Sequence, residues 1–228
     1  MTILTIRPEP GSRATVAAGL GAGLEIEAFP LFEIRPLPWA APAPEGVDGL
    51  LIGSANVMRH AGPALDAFAG KPVHAVGAAT ARAVEAAGLA VATVGPGHLQ
   101  PLVDSLPAPQ RLLRLTGVEH VPVSPPPGIE IDQRIVYESV PLPLPSTAAE
   151  RLKARALVLL HSAAAARHLA AECDRLGIDR SQVRLAALAP RIAQAAGGHW
   201  REIRCASGPS EAALLALARD MCHERPPR

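Results

Sequence analysis

The chain repeats itself at a spacing close to half its length. GLLIGSANVMRHA at 49–61 matches ALVLLHSAAAARHLA at 156–170, setting Ser54 over Ser162 and Arg59 over Arg167. VHAVGAATARAVEAAG at 73–88 matches VRLAALAPRIAQAAG at 183–197, setting Gly77 over Ala189 and Thr80 over Ile192. GPGHLQPLVDSL at 95–106 matches SGPSEAALLAL at 207–217. A period this long marks a duplicated domain rather than a solenoid. Within each copy an apolar, β-rich run leads through a small residue into a helical stretch, again and again. That alternation predicts parallel sheets with helices on both faces.

The pattern places strands at 47–52, 73–76, 91–94 and 111–115, with helices at 55–68, 78–87 and 98–106. The later copy supplies strands at 156–162, 183–188 and 199–205, each followed by a helix. The N-terminus adds a β-α-β run: TILTI, a helix over 12–20, then LEIEAF. This run has no counterpart in the middle copy, so it is expected to join the later one. Residues 30–46 carry five prolines and 117–128 carry four, which rules out regular helix in both. The fold class is therefore α/β, with two similar parallel-sheet domains. One is discontinuous, built from 1–35 and 143–228; the other is inserted, 38–133; proline-bounded strands at 30–37 and 134–142 link them.

Composition excludes more than it assigns. The 228 residues are 49% apolar, enough for real cores, and carry a net charge of +1. No global field recruits nucleic acid or membrane, so an acidic ligand must be held locally. The basic residues are almost all Arg, which fits carboxylate or phosphate binding and equally a GC-rich genome. Cys173, Cys205 and Cys222 are widely spaced and form no metal-ligand pair, and the eight His residues are scattered, so no metal is expected. MTILTIRPEP has no basic region followed by a long apolar run, and no segment reads as a membrane span; a cytoplasmic protein is expected.

Several motifs could carry chemistry. GLGAGL at 19–24 follows a helix instead of opening one, so it reads as a helix stop and not a dinucleotide loop. IGSANV and LHSAAA each put a serine, Ser54 and Ser162, between a strand and a helix. Such a serine can cap the helix, and the free N–H groups beyond it, at Ala55 and Ala163, can hold an anion. VGAATA offers the same through Gly77, Ala78 and Thr80. Arg7 follows the first strand, where ligands bind in such sheets. Tyr137, the only tyrosine, sits in QRIVYESVPL. Strict alternation puts Ile135, Tyr137 and Ser139 on one face and Val136, Glu138 and Val140 on the other.

TIRPEPGS, FPLFEIRPL, DGLLIGSANVMRH, VHAVGAATARAVEAAG and RIVYESV, in this order and spacing, resemble the uroporphyrinogen-III synthase family. The resemblance covers nearly the whole chain. It implies two α/β domains joined by a two-stranded β-ladder, with the active site in the cleft between them. It implies a cofactor-free lyase that cyclises hydroxymethylbilane to uroporphyrinogen III, losing water and inverting ring D. It makes Tyr137 the group that assists hydroxyl departure and matches Thr80, Ser54 and Ser162 to family positions; the strand-end Arg7 and the helix starts at Ala55, Gly77, Ala78 and Ala163, read above from the residues, complete the expected substrate side. A monomer is expected, with a transient contact to hydroxymethylbilane synthase and neither nucleic acid nor membrane as partner. The chain departs from the pattern at Gly53 and His161, where threonine is usual, and at LAPRIA, which lacks the second glycine and threonine. Arg191 could stand in for that second threonine. Thr116-Gly117 stands where Arg-Gly is usual, and the proline-rich 117–128 replaces a helix. These departures leave open an alternative: a weakened relative that only binds tetrapyrrole or serves as an assembly partner.

Overall fold

Two sheets organise the computed structural model, which describes residues 2–223. In chain order the elements are β1 (Ile3–Thr5), α1 (Gly11–Gly21), β2 (Ile26–Ala28), β3 (Phe32–Pro36), β4 (Gly49–Ile52), α2 (Ala55–His60), β5 (Val73–Ala75), α3 (Ala78–Ala86), β6 (Val91–Val94), α4 (Leu99–Asp104) and β7 (Gln110–Gly117). They continue with β8 (Ile129–Pro141), α5 (Ser146–Lys153), β9 (Leu157–Leu160), α6 (Ala163–Arg175), β10 (Arg184–Ala187), α7 (Pro190–Ala195), β11 (Glu202–Cys205) and α8 (Glu211–His223).

The chain divides into two units, Met1–Glu33 with Val140–Arg228, and Ile34–Ser139. The first, discontinuous unit holds a five-stranded sheet in the order β11-β10-β9-β1-β2, all parallel. The central strand β9, LVLL, is fully buried, because helices cover both faces of a parallel sheet and leave no polar side. One face packs on Leu152, Ala166, Leu169 and Ile192; the other packs on Leu214, Leu217 and Met221.

The inserted unit holds the order β3-β8-β7-β4-β5-β6, parallel from β8 to β6. Its β4, GLLI, is buried on both sides for the same reason. β8 is a single strand of 13 residues that pairs with two partners in turn. Its first part runs beside β7, from Gln110 against Ile129 to Gly117 against Tyr137. Further along it meets the β3 segment: the Leu37 N–H donates to the Val136 carbonyl and the Leu142 N–H to the Leu31 carbonyl, an antiparallel register. The chain crosses between units within β3 and within β8.

The structure differs from the periodicity in three places. The helix expected over 55–68 ends at His60; Gly62 takes φ 67°, and Pro63 opens a separate 3-10 turn to Phe68. A left-handed glycine followed by a residue without an N–H cannot continue a helix. The strand expected from 134 starts at Ile129, just after Gly128 turns the chain at φ 86°. Helix α5 was hidden behind PLPLP, yet its buried Ala148, Ala149 and Leu152 have the i, i+1, i+4 spacing of a helix face.

The start of α5 is fixed by one buried acid. Glu172 on α6 accepts the Leu144 N–H at 2.6 Å and both donors of the Arg175 fork, at 2.6 and 2.8 Å. These bonds, Arg175 first, hold its carboxyl down at about 2 against the opposing effect of burial. A depressed folded value means the contribution is complete above the ordinary carboxyl range and disappears as pH falls toward about 2. Glu172→Gln should lower stability by about 1–3 kcal/mol at neutral pH, the scale of a charge-assisted bond. Denaturant melts of both proteins should converge as pH is lowered through that window.

Candidate active site

The helix starts of the inserted unit all lie at the carboxyl ends of its parallel strands. Ser54 follows β4 and caps α2, its Oγ accepting the Asn56 N–H at 3.2 Å. Gly77, extended, precedes α3, and His98, extended, precedes α4. Each turn leaves backbone N–H groups without helical partners on one edge. A serine cap contributes about 1 kcal/mol, and its hydroxyl hydrogen stays free to donate.

Tyr137 reaches this edge because of a slip in the ladder. Thr116 pairs with Ile135 but Gly117 pairs with Tyr137, so Val136 is the extra residue of a bulge. A bulge re-aims side chains and breaks the alternation of faces. The expected opposition of Val136 and Tyr137 is lost: both pack on the cluster of Val57, Leu113 and Leu115. The ring lies directly over Gly117, where an added Cβ would come within 2.5 Å of Cε2. It also tilts against His60, ring centroids 6.2 Å apart. Burial, then the charge of Arg59, pushes the His60 pKa below its ordinary value, favouring a neutral ring beside the phenol.

Tyr137 and Ser54 line one cavity of about 670 Å³, together with Gly97, His98, Arg114, Thr116, His120 and Val121. That volume is within the roughly 300–1,000 Å³ of small-molecule sites. The segment after β7 forms one wall. It is held by Gln100 on α4, which donates to the Ser124 carbonyl at 2.8 Å and accepts the Ser124 N–H at 2.9 Å. The Arg114 guanidinium donates to the Val121 carbonyl at 2.6 Å. The Nδ1 of His120 lies 3.0 Å from the carbonyls of Gly117 and Val118; both are acceptors, so Nδ1 carries the hydrogen. Ala55, Gly77 and Ala78 are on the same edge outside the lining, and Thr80 is buried within α3.

In the discontinuous unit the corresponding edge is already charged and paired. Ser162 caps α6, accepting the Ala165 N–H at 3.1 Å, and Ala163 begins that helix. Arg7 donates to Thr15 at 3.2 Å and to Glu211 at 3.1 Å; Thr15 donates to Glu211 at 2.7 Å, and His161 Nε2 lies 3.1 Å from the same carboxylate. Burial alone would raise the Glu211 carboxyl; the bonds from His161 and Thr15 and the charge of Arg7 outweigh it and hold it below the ordinary range. Arg191 is exposed on α7. Sequence reasoning missed Arg114, His120 and Glu211. The signal for Arg114 was a charge inside LLRL, and for Glu211 an acid at a helix start. Among the described residues no group of three or more His, Cys, Asp or Glu could hold a metal ion, and no helix is long and apolar enough to cross a membrane.

This is a two-unit α/β protein with its polar groups collected at the carboxyl edges of parallel sheets. The fold is that of uroporphyrinogen-III synthetase from Helicobacter pylori 26695, with a TM-score of 0.66 and 18% identity over 96% of this chain and 99% of that one. A mutant uroporphyrinogen III synthase from the extremely thermophilic bacterium Thermus thermophilus aligns with a TM-score of 0.53 and 19% identity over 98% and 100%. A search of the curated proteins finds no match. The family model described as uroporphyrinogen-III synthase HemD matches residues 14–216, and the chain belongs to that family of cofactor-independent cyclising lyases of heme biosynthesis.

Gly117→Ala should displace the Tyr137 ring while leaving the fold intact, at a cost of about 1–3 kcal/mol for the overpacked contact. With one tyrosine in the chain, selective isotope labelling gives ring NMR signals from Tyr137 alone, and these should move in the variant.

Proposed function

We propose that the cavity beside Tyr137 binds part of hydroxymethylbilane, and that Tyr137 assists loss of its terminal hydroxyl on the way to uroporphyrinogen III. What carries this reading is the position of the sole phenol, over Gly117 in a cavity lined by a helix-capping serine, in a member of this family.

The chemistry needs little from the protein beyond placement. The lone pair of the adjacent pyrrole nitrogen expels the hydroxyl and leaves an azafulvene. Hydroxide is a poor leaving group, so a phenol donating a hydrogen bond or a proton lets it depart as water. The proton given up by the pyrrole carbon at closure restores the phenol. A positioned acid contributes roughly 10²–10⁴-fold. Ring D inverts when its substituted α-carbon attacks the azafulvene, its bond to the neighbouring bridging carbon breaks to leave a second azafulvene, and its other α-carbon attacks that and loses its proton. Holding the chain for these steps is work of orientation, which can supply much of the remainder. The substrate's carboxylates are held by the free N–H groups at Ala55, Ala78 and Ala163 and by the hydroxyls of Ser54 and Ser162, with Thr80, buried within α3, positioning that helix start and Arg191 exposed and available. Arg7, balanced by Glu211, shapes its edge and contributes less net charge to binding. A monomer working in the cytoplasm and receiving the unstable bilane by transient contact with hydroxymethylbilane synthase completes the reading.

Tyr137→Phe keeps the ring and removes one oxygen, so the fold should survive. In an assay coupled to hydroxymethylbilane synthase, type III product, resolved from spontaneous type I after oxidation, should form at least about tenfold more slowly but not stop. Thr80→Val should have the smaller effect. An unchanged rate in Tyr137→Phe would show that the tyrosine only packs.

A further inference from the structure

Arg114 breaks the rule that the rest of its strand obeys. β7 is an interior strand, between β4 and β8. Such strands read as apolar runs, and Leu112, Leu113 and Leu115 are essentially fully buried. Arg114, set among them, is only 5% exposed. One of its five N–H donors meets the Val121 carbonyl, and no ion pair joins it to a carboxylate among the described residues. Burial lowers its pKa, the direction expected of a cation without a counter-ion. A buried charge left without a partner is costly. Arg114 nevertheless lines the cavity that contains Tyr137, Ser54 and Thr116. A local rule broken without compensation inside the fold points to a partner from outside it.

We propose that Arg114 is a substrate-binding residue that receives one carboxylate of the tetrapyrrole and so seats the neighbouring pyrrole against Tyr137. The inference rests on the synthase reading of this cavity. A planar guanidinium fork matches a carboxylate with two parallel bonds, which an ammonium cannot form. The bond to Val121 uses one donor and orients the fork; the ligand supplies the missing charge. Of the other groups in the lining, Glu119 has the wrong sign for this task and is exposed, and His120 is directed by Nδ1 to two backbone carbonyls. Thr116 lies two residues on from Arg114, on the same face of the strand and in the same lining.

The test compares wild type, Arg114→Met, Arg114→Lys and the double variant Arg114→Met/Thr116→Arg. Type III formation is measured in the coupled assay, and uroporphyrinogen III binding by anaerobic titration calorimetry at several salt concentrations. Arg114→Met should raise KM and weaken product binding at least about tenfold, the effect of removing a charged bond. Its kcat should change much less, and the salt dependence of binding should flatten. Thr116→Arg, returning a guanidinium to the same face, should recover part of the affinity. A role limited to tying down Val121 would show no loss of salt dependence and no recovery. If wild type forms type III and Arg114→Met binds product within about twofold of it, the inference is overturned alone. If Arg114→Met does not fold, Arg114→Lys decides: affinity should fall at least about threefold, and wild-type affinity overturns the proposal. A wild type that forms only type I overturns the synthase reading and this inference with it.

Discussion

The pairing of β8 with β7 in register, broken by one residue at Thr116–Gly117, is the constraint on which the candidate site depends. A two-residue period sends every second side chain to the same face, so an unbroken ladder would keep Tyr137 opposite Val136. The slip lets Val136 go into the core while the phenol rests on the same cluster and still opens onto the cavity. Gly117 is the other half of the device, since any larger residue would occupy the space of the ring. The tyrosine also stands where β8 leaves β7, next to the hydrogen bond from Leu37 to Val136. Two ladders therefore fix its backbone, which limits the motion of the phenol.

The two units treat charge differently at equivalent edges. In the discontinuous unit Arg7, Thr15 and His161 all converge on Glu211, so the cation at that edge already has a carboxylate partner. In the inserted unit Arg114 has a carbonyl and a cavity. A net charge of +1 is enough for a polyacidic substrate under this arrangement, because the relevant cation is desolvated and local rather than part of a global field. The cost of leaving Arg114 without a counter-ion falls on the unliganded fold and is recovered when an anion arrives. Preorganised charge of this kind favours binding and orientation over bulk attraction.

The sequence by itself determined the strand–helix alternation, the duplication and the placement of serine or glycine at helix starts. These follow from apolar periodicity and from residues whose backbone and side-chain preferences are local, as at Ser54, Gly77 and Ser162. Tyr137 stood out in the sequence through rarity and resemblance. Its orientation was not legible, because a bulge depends on the partner strand and leaves no mark in the strand that carries it. Helix α5 lay hidden behind prolines, and Arg114 inside LLRL read as an interruption. What only the tertiary structure decided is which polar residues lack partners. Arg7 and Arg114 are alike as letters in a sequence; one meets Glu211 from 204 residues away, and the other meets a cavity. Local propensity has a range of a few residues, whereas the burial and neutralisation of a charge depend on every strand and loop packed around it, and that is settled only when the chain has folded.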